Sequence, residues 1–394
     1  MGTHVEALPI ASQSKAHAAS TAIPWTVWLM AAACTSAIIG AHWDISWHSS
    51  IGRDDFWTPA HMAIYLCGLF GGVSAGWLIF SHTFGIGGAK NDATVNVFGL
   101  RAPLGAFLVG WGGLAMLTSA PFDDWWHNAY GLDTKILSPP HVLLISGFFL
   151  VQVGALILTM GERNRSSSAS AKRQLNAMFL YLGGLMVVTA TILILELTTR
   201  TLMHSAFFYR TVALAIPIVL AMLSRASGHP WAATIATSVY TIFLLGFQWI
   251  LPLFPAEPKL GPVYVPVTYF VPPQFPLLLV LPAIACDWLT QRLSHRNAWL
   301  QSALCGLAFV AVLLAFQYPF ANFLMSDGAK NWFFGSHHLG YYVFPESYLR
   351  RGIFRVVETS PAAFAWVLGQ AVLAAAIMHR IGTGVGNWMR AVQR

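Results

Sequence analysis

Long apolar stretches alternate with short polar linkers along the whole chain. A helix needs about 20 predominantly apolar residues to cross the hydrocarbon core of a bilayer. Ten stretches approach or reach this length, at residues 24–42, 59–80, 101–120, 139–160, 175–197, 206–224, 231–252, 273–288, 298–318 and 361–380. The pattern therefore predicts an all-α, polytopic membrane bundle of about ten transmembrane helices, in contact with the lipid bilayer.

The composition supports the same class. Only 9% of the 394 residues are charged, 56% are hydrophobic, and the mean hydropathy is +0.60. A typical soluble chain carries about 25% charged residues. These values exclude a disordered chain, a coiled coil and an ordinary cytosolic enzyme. Because charges are so few, we interpret the net charge of +7 as a basic bias of cytoplasmic loops and expect no nucleic-acid partner.

The distribution of charge predicts an orientation. With the N-terminus inside, the inner linkers hold thirteen of the 22 basic residues but only four of the fifteen acidic ones. By the positive-inside rule both termini lie in the cytoplasm, and we expect the inner membrane of a bacterium. Residues 1–23 lack the apolar core of a signal peptide and are interpreted as a cytoplasmic tail. Two long loops, 253–272 and 319–360, then face outward.

The four cysteines do not indicate a thiol-based site. Cys34, Cys67, Cys286 and Cys305 all lie in apolar stretches, without a Cys-x-x-Cys pair. This spacing predicts neither a disulfide framework nor a thiolate zinc site.

The most informative feature is an internal repeat. Residues 43–61 and 123–141 both contain the pattern Asp-x3-His-x3-Gly-x-Asp, and their first histidines are 79 positions apart. Each copy starts at the outer end of one predicted span and ends at the start of the next. We therefore expect a duplicated four-helix metal-binding unit at 24–160, followed by a six-helix membrane region at 161–394.

The spacing brings together one carboxylate and two imidazoles. Asp44 and His48 are four residues apart and share one helix face. Pro59 is suited to begin the next helix, which places His61 in its first turn. This group suits copper, iron or zinc. We predict Asp44, His48 and His61 as metal ligands and as the catalytic residues.

The second copy offers the equivalent group, Asp123, His127 and His141, either as a second metal site or as a degenerate remnant. Asp54 and Asp133 are predicted to orient a histidine or to cap the following helix. The simpler alternative is a polar cluster at the membrane interface. However, ionisable groups near a bilayer are costly and usually functional, and the repeated spacing favours metal binding.

The first copy resembles a known motif. It is similar to the metal-site motif of the C subunit of the particulate methane and ammonia monooxygenases, at Asp44, Ser46, Trp47, His48, Arg53, Asp54, Thr58, Pro59 and His61. The resemblance covers residues 40–80, is weaker at 120–145, where Leu132 replaces the arginine, and does not extend beyond about residue 200. It implies copper at Asp44, His48 and His61, near the extracytoplasmic side, with a role in oxygen activation.

Two functions remain open from the sequence. The first is a membrane copper monooxygenase, or a subunit of one, that oxidises a small apolar substrate with O2. It would take electrons from a donor such as a quinol. The resemblance implies a complex of three subunits with a soluble cupredoxin-like one, and because this chain has no cupredoxin pattern of strands, we expect partner subunits, as a homo- or hetero-oligomer. The alternative is a non-catalytic metal-binding, metal-handling or assembly subunit.

Overall fold

The computed structural model describes residues 23–52, 54–86, 93–131, 138–259, 266–342 and 346–393. These residues form ten α-helices and one short β-hairpin. The helices are α1 (Trp25–Ser50), α2 (Pro59–Phe84), α3 (Leu104–Tyr130), α4 (Pro139–Arg165), α5 (Ala169–Leu193), α6 (Ala206–Ser227), α7 (Ala232–Ile250), α8 (Val280–Arg292), α9 (Ala298–Leu324) and α10 (Pro361–Ala391). The predicted all-α membrane bundle is confirmed.

Nine helices of the described chain are long and apolar enough to cross a membrane. The exception is α8, which has 13 residues and spans only about 20 Å at a rise of 1.5 Å per residue. The expectation of a full span at 273–288 is therefore corrected. Proline has no N–H to donate and disfavours helical backbone in the preceding residue. The pair Pro272 and Pro273, followed by Pro276, keeps the chain extended until α8 begins.

The extended segment before α8 is buried, with Leu277 and Leu279 in the core. Its free backbone donors are satisfied by side chains of neighbouring helices. The N–H of Leu277 donates to the hydroxyl of Tyr240 at 2.9 Å, and that of Leu278 donates to Oε1 of Gln317 at 2.9 Å. Irregular backbone is tolerated at membrane depth where protein surrounds it, and these two polar side chains provide that environment.

A small hairpin, absent from the predicted elements, precedes α3. Strands β1 (Val95–Val97) and β2 (Leu100–Ala102) pair antiparallel. The two turn residues, Phe98 and Gly99, both have positive φ, 52° and 86°, as a tight two-residue hairpin turn requires.

Glycines allow α3 and α4 to approach closely. Gly105 and Gly112 of α3 face Gly154 and Gly147 of α4. A Cβ atom on Gly112 would lie 2.5 Å from the carbonyl oxygen of Gly147, and one on Gly154 would lie 2.6 Å from that of Gly105. Small residues at helix interfaces permit such backbone contact in membranes. Close packing here fixes the spacing of the helices that carry the second repeat. The proposed boundaries at 24–160 and 161–394 remain predictions.

We predict that Gly112→Ala destabilises the protein by about 1–3 kcal/mol, because the added methyl group overpacks the α3–α4 interface. Gly110→Ala is the matched control, since its Cβ atom would meet only side chains at 3.6 Å or more and alanine favours helix. Thermal unfolding in detergent measures both. Equal melting temperatures for the two variants would contradict the close contact.

Candidate metal centre

The last two turns of α1 carry the first pair of predicted ligands. His48 Nε2 lies 3.7 Å from Asp44 Oδ2. Two serines on the opposite face of α1 bind the backbone of Val271. Ser46 Oγ donates to the carbonyl of Val271 at 2.7 Å, and the N–H of Val271 donates to Ser50 Oγ at 2.8 Å. The extended segment before α8 thus holds the end of α1 in place and leaves the Asp44–His48 face available.

The loop that follows α1 orients His61. The carbonyl of Asp55 accepts from the Thr58 N–H at 3.0 Å and from His61 Nδ1 at 2.9 Å. Pro59 then begins α2. Because a carbonyl can only accept, Nδ1 of His61 carries the hydrogen. Loss of the Nε2 proton to a metal would leave the lone pair on this nitrogen, which faces Asp44. Such a backbone contact is the usual way of setting the tautomer of a metal-binding histidine.

Four side chains meet at this point: Asp44, His48, Asp54 and His61. Each offers one ligand atom, and these atoms all lie within 4.8 Å of one another. His61 Nε2 is 3.2 Å from Asp44 Oδ1 and 3.1 Å from Asp54 Oδ2, and His48 Nε2 is 3.3 Å from Asp54 Oδ2. Ligands at 2.0–2.1 Å from a tetrahedral metal are about 3.4 Å apart. The spacing therefore fits a single transition-metal ion.

Asp54 stands among the possible ligands. It was predicted to orient a histidine or to cap α2, yet its Oδ2 faces the Nε2 atoms of both imidazoles, and only 6% of its side chain is exposed. Burial opposes ionisation, but hydrogen bonds from His48 and His61 outweigh it and hold the pKa of this carboxyl well below its usual range. The carboxylate is therefore available as a donor. Arg53 and Asp133 lie outside the described residues.

One oxygen of the cluster is buried without a hydrogen bond. Asp44 Oδ1 makes an ion pair with His61 Nε2 at 3.2 Å and accepts no hydrogen bond. A buried acceptor without a donor is costly. A cation would satisfy this oxygen, and the two carboxylates would offset the charge of a divalent ion. The residues present therefore fit a metal.

The second copy has the same arrangement of one carboxylate and two imidazoles. His127 Nε2 and His141 Nε2 each lie 3.5 Å from an oxygen of Asp123. His127 Nδ1 is bonded to the carbonyl of Gly131 at 3.1 Å, and Pro139 begins α4. Asp123 Oδ1 is also buried without a hydrogen bond. The predicted residues of this copy are thus brought together. Among the described residues, only the first copy has all its candidate ligand atoms within 4.8 Å of one another.

The two repeats open on one cavity of about 440 Å³. Asp54 and His61 of the first copy and Asp123 and His127 of the second line it. The wall also includes Tyr65, Phe56, Ala120, Asp55, Asp124, Asn128 and Gly131. A small molecule in this space would contact both clusters, so the repeats form one composite site.

Tyr65 was not identified from the sequence. It follows His61 by one helical turn on α2, so the four-residue spacing that found the first cluster could also have indicated it. The corresponding position of the second copy, four residues after His141, is Ile145. The cavity therefore has a phenol on one side only, and the two copies are chemically different.

Comparison with known proteins adds no identification. No protein-family model matches the chain, and neither a curated protein nor a solved structure is significantly similar to it.

We predict that Asp54→Asn weakens metal binding at least about tenfold, because it removes one of the two carboxylate charges in the cluster. Asp55→Asn is the matched control. It lies in the same loop and lines the same cavity, but its side chain accepts from the Trp57 N–H at 2.8 Å, a role that asparagine retains. Competition with a chelator of known affinity measures both variants. Equal affinities would contradict a direct role for Asp54.

Proposed function

We propose that this protein is a membrane copper oxidoreductase, related to the copper membrane monooxygenases, that uses O2 to oxidise a small substrate. The observation that carries the proposal is the group of four ligand atoms of Asp44, His48, Asp54 and His61 at the ends of two membrane helices. Asp123, His127 and His141 provide the second metal position of the same composite site.

The cavity favours a catalytic site over a structural one. Structural metal sites are closed, whereas catalytic sites keep a position open for water or substrate. Here Asp54 and His61 border the cavity of about 440 Å³, which has room for a small molecule beside the cluster. His48 also has 40% of its side chain exposed.

The choice of copper rests on the resemblance of residues 44–61 to the monooxygenase motif. The ligand types alone would also accept iron or zinc. A bound copper ion would supply one-electron chemistry with O2. Electrons would come from a donor outside the chain, for which a quinol in the bilayer is the natural candidate, and further subunits of the monooxygenase type would complete the enzyme.

The other residues of the cavity would orient His61 and bind the substrate. Hydrogen bonding by the Asp55 carbonyl holds His61 in one tautomer. Phe56 and Ala120 supply apolar wall for a small apolar substrate that arrives through the lipid, and the Tyr65 hydroxyl can donate a hydrogen bond to a guest. Asp124 extends the polar side of the same wall.

The proposed location is the bacterial cytoplasmic membrane, with both termini in the cytoplasm. Helices α1 and α3 end at the two clusters, and α2 and α4 begin there, so all four meet at one side of the membrane. At the opposite end of α4, its last turn carries Arg163 and Arg165, and the first turns of α5 carry Lys172 and Arg173. The positive-inside rule then places the clusters on the extracytoplasmic side.

We predict that purified protein binds copper and that His48→Ala and His61→Ala each remove the metal of the first cluster, because each deletes one of only four ligands. His82→Ala is the control on the same helix as His61; its Nδ1 bonds the carbonyl of Leu78 at 2.8 Å, far along α2. Metal analysis measures the stoichiometry. Undiminished copper in both ligand variants would contradict the assignment.

The same experiment distinguishes one occupied cluster from two. Anomalous scattering at the copper edge locates the ions, and His127→Ala removes only the ion of the second cluster. Iron or zinc bound at Asp44 would support the metal site but contradict the assignment of copper. A protein that binds no metal would identify the cluster as an ion-pair network.

We further predict O2 consumption that depends on both a reductant and a small apolar substrate, and that falls at least about 100-fold in His61→Ala, because the metal is lost with its ligand. An oxygen electrode on protein in lipid nanodiscs measures the rate, with His82→Ala as control. Stoichiometric copper without substrate-dependent O2 uptake would favour the alternative, a metal-handling or assembly subunit.

A further inference from the structure

A second cluster of metal-binding side chains lies outside the candidate metal centre. Cys286 of α8 and Cys305 of α9 face each other. Cys286 Sγ donates to the carbonyl of Cys305 at 3.5 Å, and Cys305 Sγ lies 3.9 Å from the carbonyl of Cys286. His379 of α10 lines the same small cavity as the two cysteines. Three helices thus bring two sulfurs and an imidazole together.

These groups surround a very small cavity. Its volume is about 10 Å³, and its polar lining consists of Cys286, Cys305, His379, Thr290 and Ser224. A single water needs about 10–15 Å³ measured in the same way. The space therefore admits one atom or ion and excludes any larger organic ligand.

The donors are buried. Cys286, Cys305 and His379 are 7%, 0% and 6% exposed. Thr290 Oγ1 lies 3.8 Å from Cys305 Sγ, and Ser302 Oγ is 3.1 Å from His379 Nδ1. These hydroxyls position the thiol and the ring without filling the cavity.

The other thiol pair of the chain provides a contrast. Cys34 and Cys67 are both fully buried between α1 and α2. Among the described residues, no imidazole reaches either of these thiols. They behave as small apolar side chains, which is the usual role of buried cysteine. The histidine and the cavity therefore distinguish the Cys286–Cys305 pair.

We propose that Cys286, Cys305 and His379 bind one thiophilic d10 metal ion, Cu(I) or Zn(II). Thiolate and imidazole ligands select these ions over hard cations. Two thiolates formed by loss of two protons neutralise Zn(II), and one thiolate neutralises Cu(I), so that little net charge remains in the apolar interior. The three donors are not all within 4.8 Å of one another, and binding draws them inward around the cavity.

The absence of a Cys-x-x-Cys pair had predicted no thiolate site. That rule covers ligands supplied by one loop, whereas here one donor comes from each of α8, α9 and α10. The site is independent of the proposed function, because it shares no residue with the Asp44 or Asp123 clusters.

The test uses the full chain in detergent, reduced and freed of metal, then loaded anaerobically with one equivalent of Zn²⁺ or of Cu(I). The His48→Ala/His61→Ala protein serves as host, so that failure of the first cluster does not affect the result. X-ray absorption at the metal edge is expected to show sulfur at about 2.3 Å for zinc. The candidate metal centre contains no sulfur, so spectra with only nitrogen and oxygen neighbours for both ions would overturn the proposal.

Cysteine and histidine variants identify which residues give the sulfur and nitrogen signals. Cys286→Ser and Cys305→Ser are expected to lose it, whereas Cys34→Ser and Cys67→Ser keep it. A signal unchanged in both of the first two variants would refute the site. His379→Gln, which keeps both thiols, is expected to retain sulfur and to lose nitrogen scattering.

A measurement on unsubstituted cysteines covers the case in which these variants do not fold. Bound metal is expected to protect Cys286 and Cys305, but not Cys34 and Cys67, from alkylation during brief denaturation, as mapped by mass spectrometry. Equal labelling of all four thiols with and without metal would overturn the proposal. So would a Cys286–Cys305 disulfide in protein that binds no metal through sulfur.

Discussion

The need to satisfy every backbone polar group inside the bilayer determines this structure. In a helix these groups hydrogen-bond one another. The chain leaves the helical conformation where side chains or backbone groups nearby supply the hydrogen-bond partners. The extended segment before α8 is such a place, with Tyr240 and Gln317 as acceptors for its N–H groups. The turn after α1 is another. There the Asp55 carbonyl accepts from Thr58 and from His61, so the carbonyl that completes the turn also orients a candidate ligand.

The regular parts of the site could be predicted because helices are periodic. Asp44 and His48 share a face at a spacing of four, and Pro59 fixes where α2 begins. Asp54 could be identified as a functional candidate, but its position among the ligands depends on a non-periodic loop. The eighth span was overestimated because hydropathy does not register the missing N–H of Pro272 and Pro273. The thiol cluster could not be inferred, since no local pattern relates donors on three separate helices.

The recurrence of one residue spacing along the chain accounts for the two clusters that adjoin one cavity. Each copy of the pattern has a carboxylate and two imidazoles where one helix ends and the next begins, and α2 packs against α3, so that side chains of both groups line the same cavity. The two clusters nevertheless differ. The first has Asp54 at ligand spacing and Tyr65 one turn beyond His61, whereas the second has Ile145 at the position equivalent to Tyr65. A small molecule in the cavity would therefore contact chemically different side chains on its two sides.

Charge explains the placement of the two donor sets. Carboxylates are tolerated where the helices end, because loop backbone and water reach them, and there two of them can offset a divalent ion. Deeper in the bundle a permanent carboxylate would need dedicated partners; buried Asp287 has them in the N–H and hydroxyl of Thr234. A thiol avoids this requirement, since it is neutral until a metal displaces its proton. Soft donors are therefore the metal ligands that an apolar protein interior accommodates most easily, and Cys286 and Cys305 are buried in such an interior.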